Sequence, residues 1–187
     1  MSFVNKYITK FVPDLFDYHT LLYVGLALKW NYPFFRGQDG FDNANYEIDV
    51  IEIWPKYVED LKEFNEHGKQ FRNAYVEPGS FRNIILGDVR QANKLTDLKY
   101  DVIMWWHGPE HVREKDWKPT LDILSNMTEK ILLLCMPSKE QKCGPKNENP
   151  YESHLSTGNS KIFENLGFMT TLIGDSKEYI LGWKNVI

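Results

Sequence analysis

Five apolar runs recur before residue 140: TLLYVGLAL (20–28), EIDVIEIWP (47–55), FRNIILGDV (81–89), YDVIMWW (100–106) and KILLLCMP (130–137). Their lengths and their content of β-branched and aromatic residues predict strands. FMTTLIG (168–174) and YILGW (179–183) predict a closing strand pair joined by DSKE. Between the runs the period lengthens to that of a helix. Phe3, Val4, Tyr7, Ile8, Phe11 and Val12 form one apolar face that Pro13 ends. PKYVEDLKEF sets Val58, Leu61 and Phe64 on one face with Pro55 at the helix start, and KPTLDILSNM sets Leu121, Leu124 and Met127 on one face behind Pro119. SKIFENL reads as a short helix with Asn159 as N-cap and Gly167 just past its end.

Strand then helix is the repeating order, and the strands are apolar throughout rather than alternating. That pattern predicts a mainly parallel sheet covered on both faces, with the last hairpin adding an antiparallel strand. Three stretches lack a clear period: 29–46, 66–80 and the polar loop 138–156. In an open parallel sheet ligands sit beyond the carboxyl ends of the strands, where the strand order reverses. The strand ends therefore carry the functional question.

Composition narrows the partners. A chain of 187 residues with 42% hydrophobic content suits one globular domain, residues 1–187, with the N-terminal helix region 1–19 packed on its core. Its 26 acidic and 22 basic residues are spread along the chain, so no basic footprint marks a nucleic-acid partner or an anionic membrane. Neither a secretory leader nor a run of about 18 apolar residues is visible, and a cytoplasmic location is expected. Cys135 lies in an apolar run and Cys143 in a polar loop, a spacing that suits neither a disulfide framework nor a zinc knuckle.

Four strand ends hold residues that a packed core does not ask for: Gly25, Glu52, Asp88 and the run His107-Gly108-Pro109-Glu110-His111. Glycine permits a tight turn and close approach of a ligand. An acid ending the second strand is placed to accept hydrogen bonds from two ribose hydroxyls. Asp88 is placed to accept from the exocyclic amine of a base, with helix N-capping as its other reading. Gly25 and Glu52 are 27 residues apart, longer than the roughly 20 of the dinucleotide fingerprint, and no G-x-G-x-x-G follows the first strand. A ribose and a base without a pyrophosphate fit best.

Together LLYVG, VIEIWPKYVEDLKEF, NIILGDV, YDVIMWWHGPEHV, the CMPSKEQ loop and YILGW resemble the class I S-adenosylmethionine-dependent methyltransferases, over about residues 20–183. The resemblance implies a Rossmann-like three-layer α/β sandwich: a mainly parallel seven-stranded sheet with an antiparallel C-terminal strand. It implies S-adenosylmethionine as cofactor, Gly25 under its methionine part, Glu52 on the ribose, Ile53 or Trp54 on the adenine face, and Asp88 with the Val89 backbone at the adenine edge. The sequence departs from the family in having one glycine where three are usual. A subset of these proteins also carries a histidine and glutamate pair before the next helix and a loop like Pro137, Gln141, Asn149, Pro150, Tyr151, Glu152 and His154.

For HGPEH two readings compete. In the inverted zinc motif both histidines bind metal and the glutamate activates water, giving a zinc hydrolase built on His107, Glu110 and His111. That needs both histidines on one helical turn, and Gly108-Pro109 places a helix start between them. The favoured reading is a ligand rim without metal, in which His107, Glu110, His111 and His154 are candidates for removing a proton from the acceptor. Strand alternation assigns Trp105 to the core and Trp106 to the cofactor rim. The loop 138–156 is either solvated or a substrate lid. The expected function is methyl transfer to a small-molecule acceptor, the alternative a protein of the same fold that binds the cofactor without catalysis.

Overall fold

A computed structural model describes residues 8–26, 46–70, 75–141, 143–145 and 148–186. The helical face at Phe3, Val4 and Tyr7, the end of the first run at Ala27 and Leu28, and nearly all of segment 29–46 lie outside them. The strands are β1 (Thr20–Val24), β2 (Glu47–Glu52), β3 (Lys69–Gln70), β4 (Tyr75–Val76), β5 (Asn83–Leu86), β6 (Tyr100–Trp106), β7 (Thr128–Pro137), β8 (Met169–Ile173) and β9 (Tyr179–Asn185). The α-helices are α1 (Pro55–His67), α2 (Ala92–Leu95), α3 (Glu114–Met127) and α4 (Ser160–Asn165). Strands β3 and β4 form a small separate hairpin within the 66–80 connection.

The main sheet has seven strands in the order β5-β2-β1-β6-β7-β9-β8. Neighbours from β5 to β7 pair in parallel, and β9 runs antiparallel to both β7 and β8. The last strand therefore inserts between two others instead of adding to the edge. From β1 the chain steps outward through β2 to β5, then returns to place β6 on the opposite side of β1. The order reverses between β1 and β6.

Side chains alternate across each strand and divide the core into two layers. Leu21, Tyr23, Val50, Met104, Trp106 and Leu133 face a layer completed by Ile8, Leu15 and Leu61. Leu22, Val24, Ile51, Ile103, Trp105 and Leu134 face the other, with Trp117, Leu121, Leu124 and Phe163 from α3 and α4. Trp117 stacks on Phe163 with ring centroids 5.1 Å apart and an interplanar angle of 25°. The sheet is thus covered on both sides, as its uninterrupted apolar strands require.

Two helix boundaries depart from the sequence expectation, and one matches it. Pro13 opens a 3-10 turn, Pro13–Asp17, where it was expected to end a helix, because its fixed φ and missing N–H suit a first turn. The second run stops being a strand at Glu52, and Pro55 takes the first position of α1, as expected. Helix α3 begins at Glu114, so Pro119 lies inside it. Acidic Glu114 and Asp116 suit the positive end of the helix dipole, and the Trp117 indole donates to the Pro109 carbonyl at 2.8 Å, anchoring the first turn to the end of β6.

Asp49 is a fully buried charge in the middle of β2. Arg82 grips it with two hydrogen bonds of 2.9 Å, the Asn83 amide donates at 3.0 Å and the Tyr100 hydroxyl at 2.8 Å. The network ties β5, β2 and β6 together from the side. Burial pushes the Asp49 carboxyl up, but the hydrogen bonds from Arg82, Tyr100 and Asn83 outweigh it and hold the group below the usual carboxylate range. Its stabilisation is therefore present above the unfolded value of 3.8 and lost as pH falls through the lower folded value. Asp49→Ala, which leaves the other members of a buried ionic network unpaired, is expected to cost about 3 kcal/mol. The urea midpoint should fall with its slope unchanged, and the wild type should lose more stability on acidification than Asp49→Asn.

Candidate functional site

Each strand that meets the reversal point ends in a turn with its own backbone requirement. Val24 closes β1, and Gly25 follows at φ 70°, its N–H donating to the Ile51 carbonyl at 2.9 Å. A left-handed turn there suits glycine. Glu52 closes β2 with its side chain 4% exposed, one carboxylate oxygen accepting from the Trp54 N–H at 3.0 Å. After β5, a side chain at Gly87 would lie 2.3 Å from Leu95, so α2 packs directly on the backbone. Asp88 then caps the turn Val89–Gln91, accepting from the Arg90 N–H at 2.9 Å and pairing with the Arg90 guanidinium.

The end of β6 is the most constrained. His107 adopts φ 49°, unusual for a residue with a side chain, while its N–H donates to the Cys135 carbonyl at 2.8 Å. Gly108 follows, where an added Cβ would lie 2.0 Å from the Trp105 indole nitrogen. The turn Pro109–His111 comes next. The loop after β7 returns over this turn: the N–H groups of Leu155 and Ser156 donate to the Glu110 carbonyl at 2.7 and 3.2 Å, and the Ser156 hydroxyl donates to the Val112 carbonyl at 2.7 Å. On the far side the Tyr57 hydroxyl donates to Glu152 at 3.2 Å, linking α1 to the same loop.

These turns enclose a cleft of about 600 Å³. One wall is made by Gly25, Glu52, Ile53, Asp88 and Val89, the other by Trp105, His107, Gly108 and His111. Asn149, Tyr151, Glu152 and Leu155 line it from the returning loop, and Arg90, Arg113, Lys115 and Asp116 add charged groups to its lining.

No protein-family profile matches the sequence, and no curated protein does. Solved structures do. The PH0226 protein of Pyrococcus horikoshii superposes over 98% of this chain and 88% of its own, with 13% identity and a TM-score of 0.61. The N-methyltransferase NodS of Bradyrhizobium japonicum covers 98% and 96% at 10% identity and a TM-score of 0.54. Magnesium protoporphyrin IX methyltransferase of Synechocystis, crystallised with bound SAM, covers 98% and 78% at 13% identity and a TM-score of 0.57. The chain has the class I methyltransferase fold.

Within that fold, five residues picked out from the sequence for a nucleoside converge on the cleft: Gly25, Glu52, Ile53, Asp88 and Val89. Two do not. Trp106 is buried among the side chains of the opposite layer, and it is Trp105 that reaches the cleft, because the outward phase of β6 is one residue earlier than expected. Trp54 stands outside the lining and packs edge-on against Tyr57, with centroids 4.6 Å apart, and Tyr57 itself lines the cleft.

Among the proposed base residues, His107 and His111 line the cleft, while Glu110 and His154 are not part of its lining. Glu110 is 1% exposed and places one carboxylate oxygen 3.2 Å from Nδ1 of His107. The inverted zinc motif is not formed: Pro109–His111 is a 3-10 turn and His107 precedes it in a left-handed conformation, so the two histidines do not share an α-helical turn. The sequence reading missed Tyr57, Arg90, Arg113 and Lys115. Only Arg90 had a local signal, two residues after the capping Asp88.

The two acids of the cleft are in opposite electrostatic conditions. For Asp88, burial pushes the carboxyl up, but the hydrogen bonds and charge of Arg90 outweigh it and hold it below its ordinary value. For Glu52, burial dominates and pushes the carboxyl up to about 7, against the backbone N–H groups of Trp54 and Ile53, with the Glu152 charge raising it further. A carboxyl whose folded value is raised contributes stability that is full below its unfolded value of 4.5 and lost as pH rises through about 7. Ionising Glu52 in the free protein is therefore expected to cost on the order of 2–3 kcal/mol by pH 8. Urea unfolding of Glu52→Gln at pH 5 and pH 8 should show this loss removed.

Proposed function

We infer that the cleft holds S-adenosylmethionine and that the protein transfers its methyl group to a small acceptor at the His107 wall. The observation that carries this reading is Glu52, a nearly fully buried carboxylate opening onto a nucleoside-sized cleft at the point where the strand order reverses. A buried carboxylate held by backbone N–H groups alone lacks partners for its charge. A ribose diol supplies two hydroxyl donors to it.

The other residues fit the same ligand. Gly25, turning at φ 70° with no atom of the described residues within 4 Å of where a Cβ would lie, leaves room for the methionine part. Ile53 stands beside Glu52 for the base, and Asp88 with the Val89 backbone lies at the next strand end for its polar edge. Because Arg90 already pairs with Asp88, an exocyclic amine would share that carboxylate with the guanidinium. The cofactor brings a methyl group on a positively charged sulfur, open to in-line displacement.

The protein then has two tasks, to align the acceptor and to take its proton. His107 suits the second. Its Nδ1 faces the Glu110 carboxylate at 3.2 Å, which orients the ring and leaves Nε2 as the basic nitrogen. Tyr151 and Leu155 offer apolar surface to an acceptor on the side of the returning loop. The small size of the acceptor is inferred from the enclosure of the cleft by that loop and from the scattered basic residues of the chain.

Calorimetry with S-adenosylmethionine and with its demethylated product tests the reading. Both are expected to bind, and Glu52→Ala should weaken them by about 1.5–3 kcal/mol, the range for lost charge-assisted hydrogen bonds. Because the diol selects the ionised carboxylate, affinity should rise about tenfold from pH 6 to pH 8 as Glu52 deprotonates, and Glu52→Gln should flatten that rise. Glu152 is the acidic neighbour acting on Glu52, and Glu152→Gln should move the rise to lower pH. Failure of both ligands to bind would overturn the proposal. Binding without turnover of any acceptor would identify a cofactor-binding protein on the same fold.

A further inference from the structure

Beside the His107 wall lies a group of side chains of which methyl transfer uses only Glu110, through its hydrogen bond to His107. Glu110, His111 and His154 each bring one carboxylate oxygen or imidazole nitrogen to a place where these atoms all lie within 4.8 Å of one another. Glu110 and His111 come from the turn after β6, His154 from the loop after β7. The loop is fastened there by the bonds from Leu155 and Ser156 to the Glu110 carbonyl, and by the His154 N–H, which donates to the Cys143 carbonyl at 2.9 Å.

Two further observations point to a cation. The Glu110 side chain is 2% exposed, and while one of its oxygens faces His107, the other is buried with no hydrogen-bond partner among the described residues. A buried carboxylate oxygen left in that condition is costly, and a metal ion removes the cost. His111 is prepared as a ligand. Its Nδ1 is 3.2 Å from the Ser153 carbonyl, which can only accept, so Nδ1 carries the proton and Nε2 presents a lone pair. An outward hydrogen bond of this kind orients the imidazoles that ligate metals.

We propose that Glu110, His111 and His154 form a binding site for one divalent transition-metal cation. Two imidazoles and one carboxylate favour zinc, cobalt, nickel or ferrous iron over calcium or magnesium, which prefer all-oxygen sites. Three protein ligands leave a coordination position for water or a substrate oxygen. Metal–ligand distances of about 2.0–2.2 Å bring tetrahedral neighbours to about 3.4 Å, so the cluster tightens on binding, chiefly through His154 on its loop. His107 is outside the set and acts on it only through its hydrogen bond to Glu110. Since His111 also lines the cleft, the ion would stand against the wall where an acceptor oxygen would lie.

The site rests on these side chains and not on the methyl-transfer reading, and its test needs no methyl donor. Protein free of any histidine tag is stripped with chelator and titrated with Zn²⁺ by calorimetry and with Co²⁺ by visible absorption. One equivalent of each ion is expected, with a cobalt spectrum of low coordination number. His154→Ala, a change on a half-buried loop residue, should weaken binding at least about tenfold with the circular dichroism unchanged. His111→Ala should do the same, and His107→Ala should keep the one-to-one stoichiometry. Absence of stoichiometric binding by the wild type, or wild-type affinity in His154→Ala, would overturn the proposal, while cofactor calorimetry on the same samples reports separately on the nucleoside site.

Discussion

Parallel pairing from β5 to β7 makes the central strands finish on the same side of the sheet, and everything functional in this protein follows from that constraint. A strand that ends there must send its backbone out of a buried layer. The chain does so through left-handed or side-chain-free positions, at Gly25, Gly87, His107 and Gly108. The reversal of order between β1 and β6 sends the connections of the two halves apart. A hollow remains between them, walled on one side by the ends of β1, β2 and β5 and on the other by the end of β6.

Three buried acids show how differently one interior treats a carboxylate. Asp49, at 0% exposure, is surrounded by Arg82, Asn83 and Tyr100 and stays ionised at little cost. It is structural, and it holds three strands in place. Glu52, at the end of β2, has backbone N–H partners and no cation among the described residues, and burial raises it to about 7. Glu110 has a histidine on one oxygen and nothing among the described residues on the other. The first acid is saturated by the fold, whereas the other two have bonding capacity left over among the described residues.

The returning loop joins these two places. It lies on the β6 turn through the Glu110 carbonyl, touches α1 through Glu152 and Tyr57, and brings Asn149, Tyr151 and Leu155 to the cleft and His154 to the cluster behind it. A change in its position would alter the lining of the cleft and the Glu110, His111 and His154 cluster together. Of the two readings of this loop left open by its composition, the geometry favours the one in which it closes over a site.

Much of this architecture was legible from local pattern. Strand length and β-branched content placed all seven strands of the main sheet, and the helical period with Pro55, Asn159 and Gly167 placed α1 and α4, because those signals act within a few residues. The strand-end acids could be named for the same reason. Other features depend on partners distant in the chain. Alternation along β6 said that Trp105 and Trp106 face opposite ways, but which one meets the cleft is decided by the layers packed on each face. The start of α3 is set by the Trp117 indole reaching Pro109, beyond what Pro119 alone could indicate. The grouping of His154 with Glu110 and His111 requires the loop after β7 to fold back over the turn after β6, a contact without a trace in residue spacing. The sequence by itself determined which segments are strands and which residues end them, since those are short-range preferences of backbone and side chain. Only the tertiary structure decided which of those ends share a cavity, because that depends on strand order, and strand order is chosen by the packing of the whole sheet.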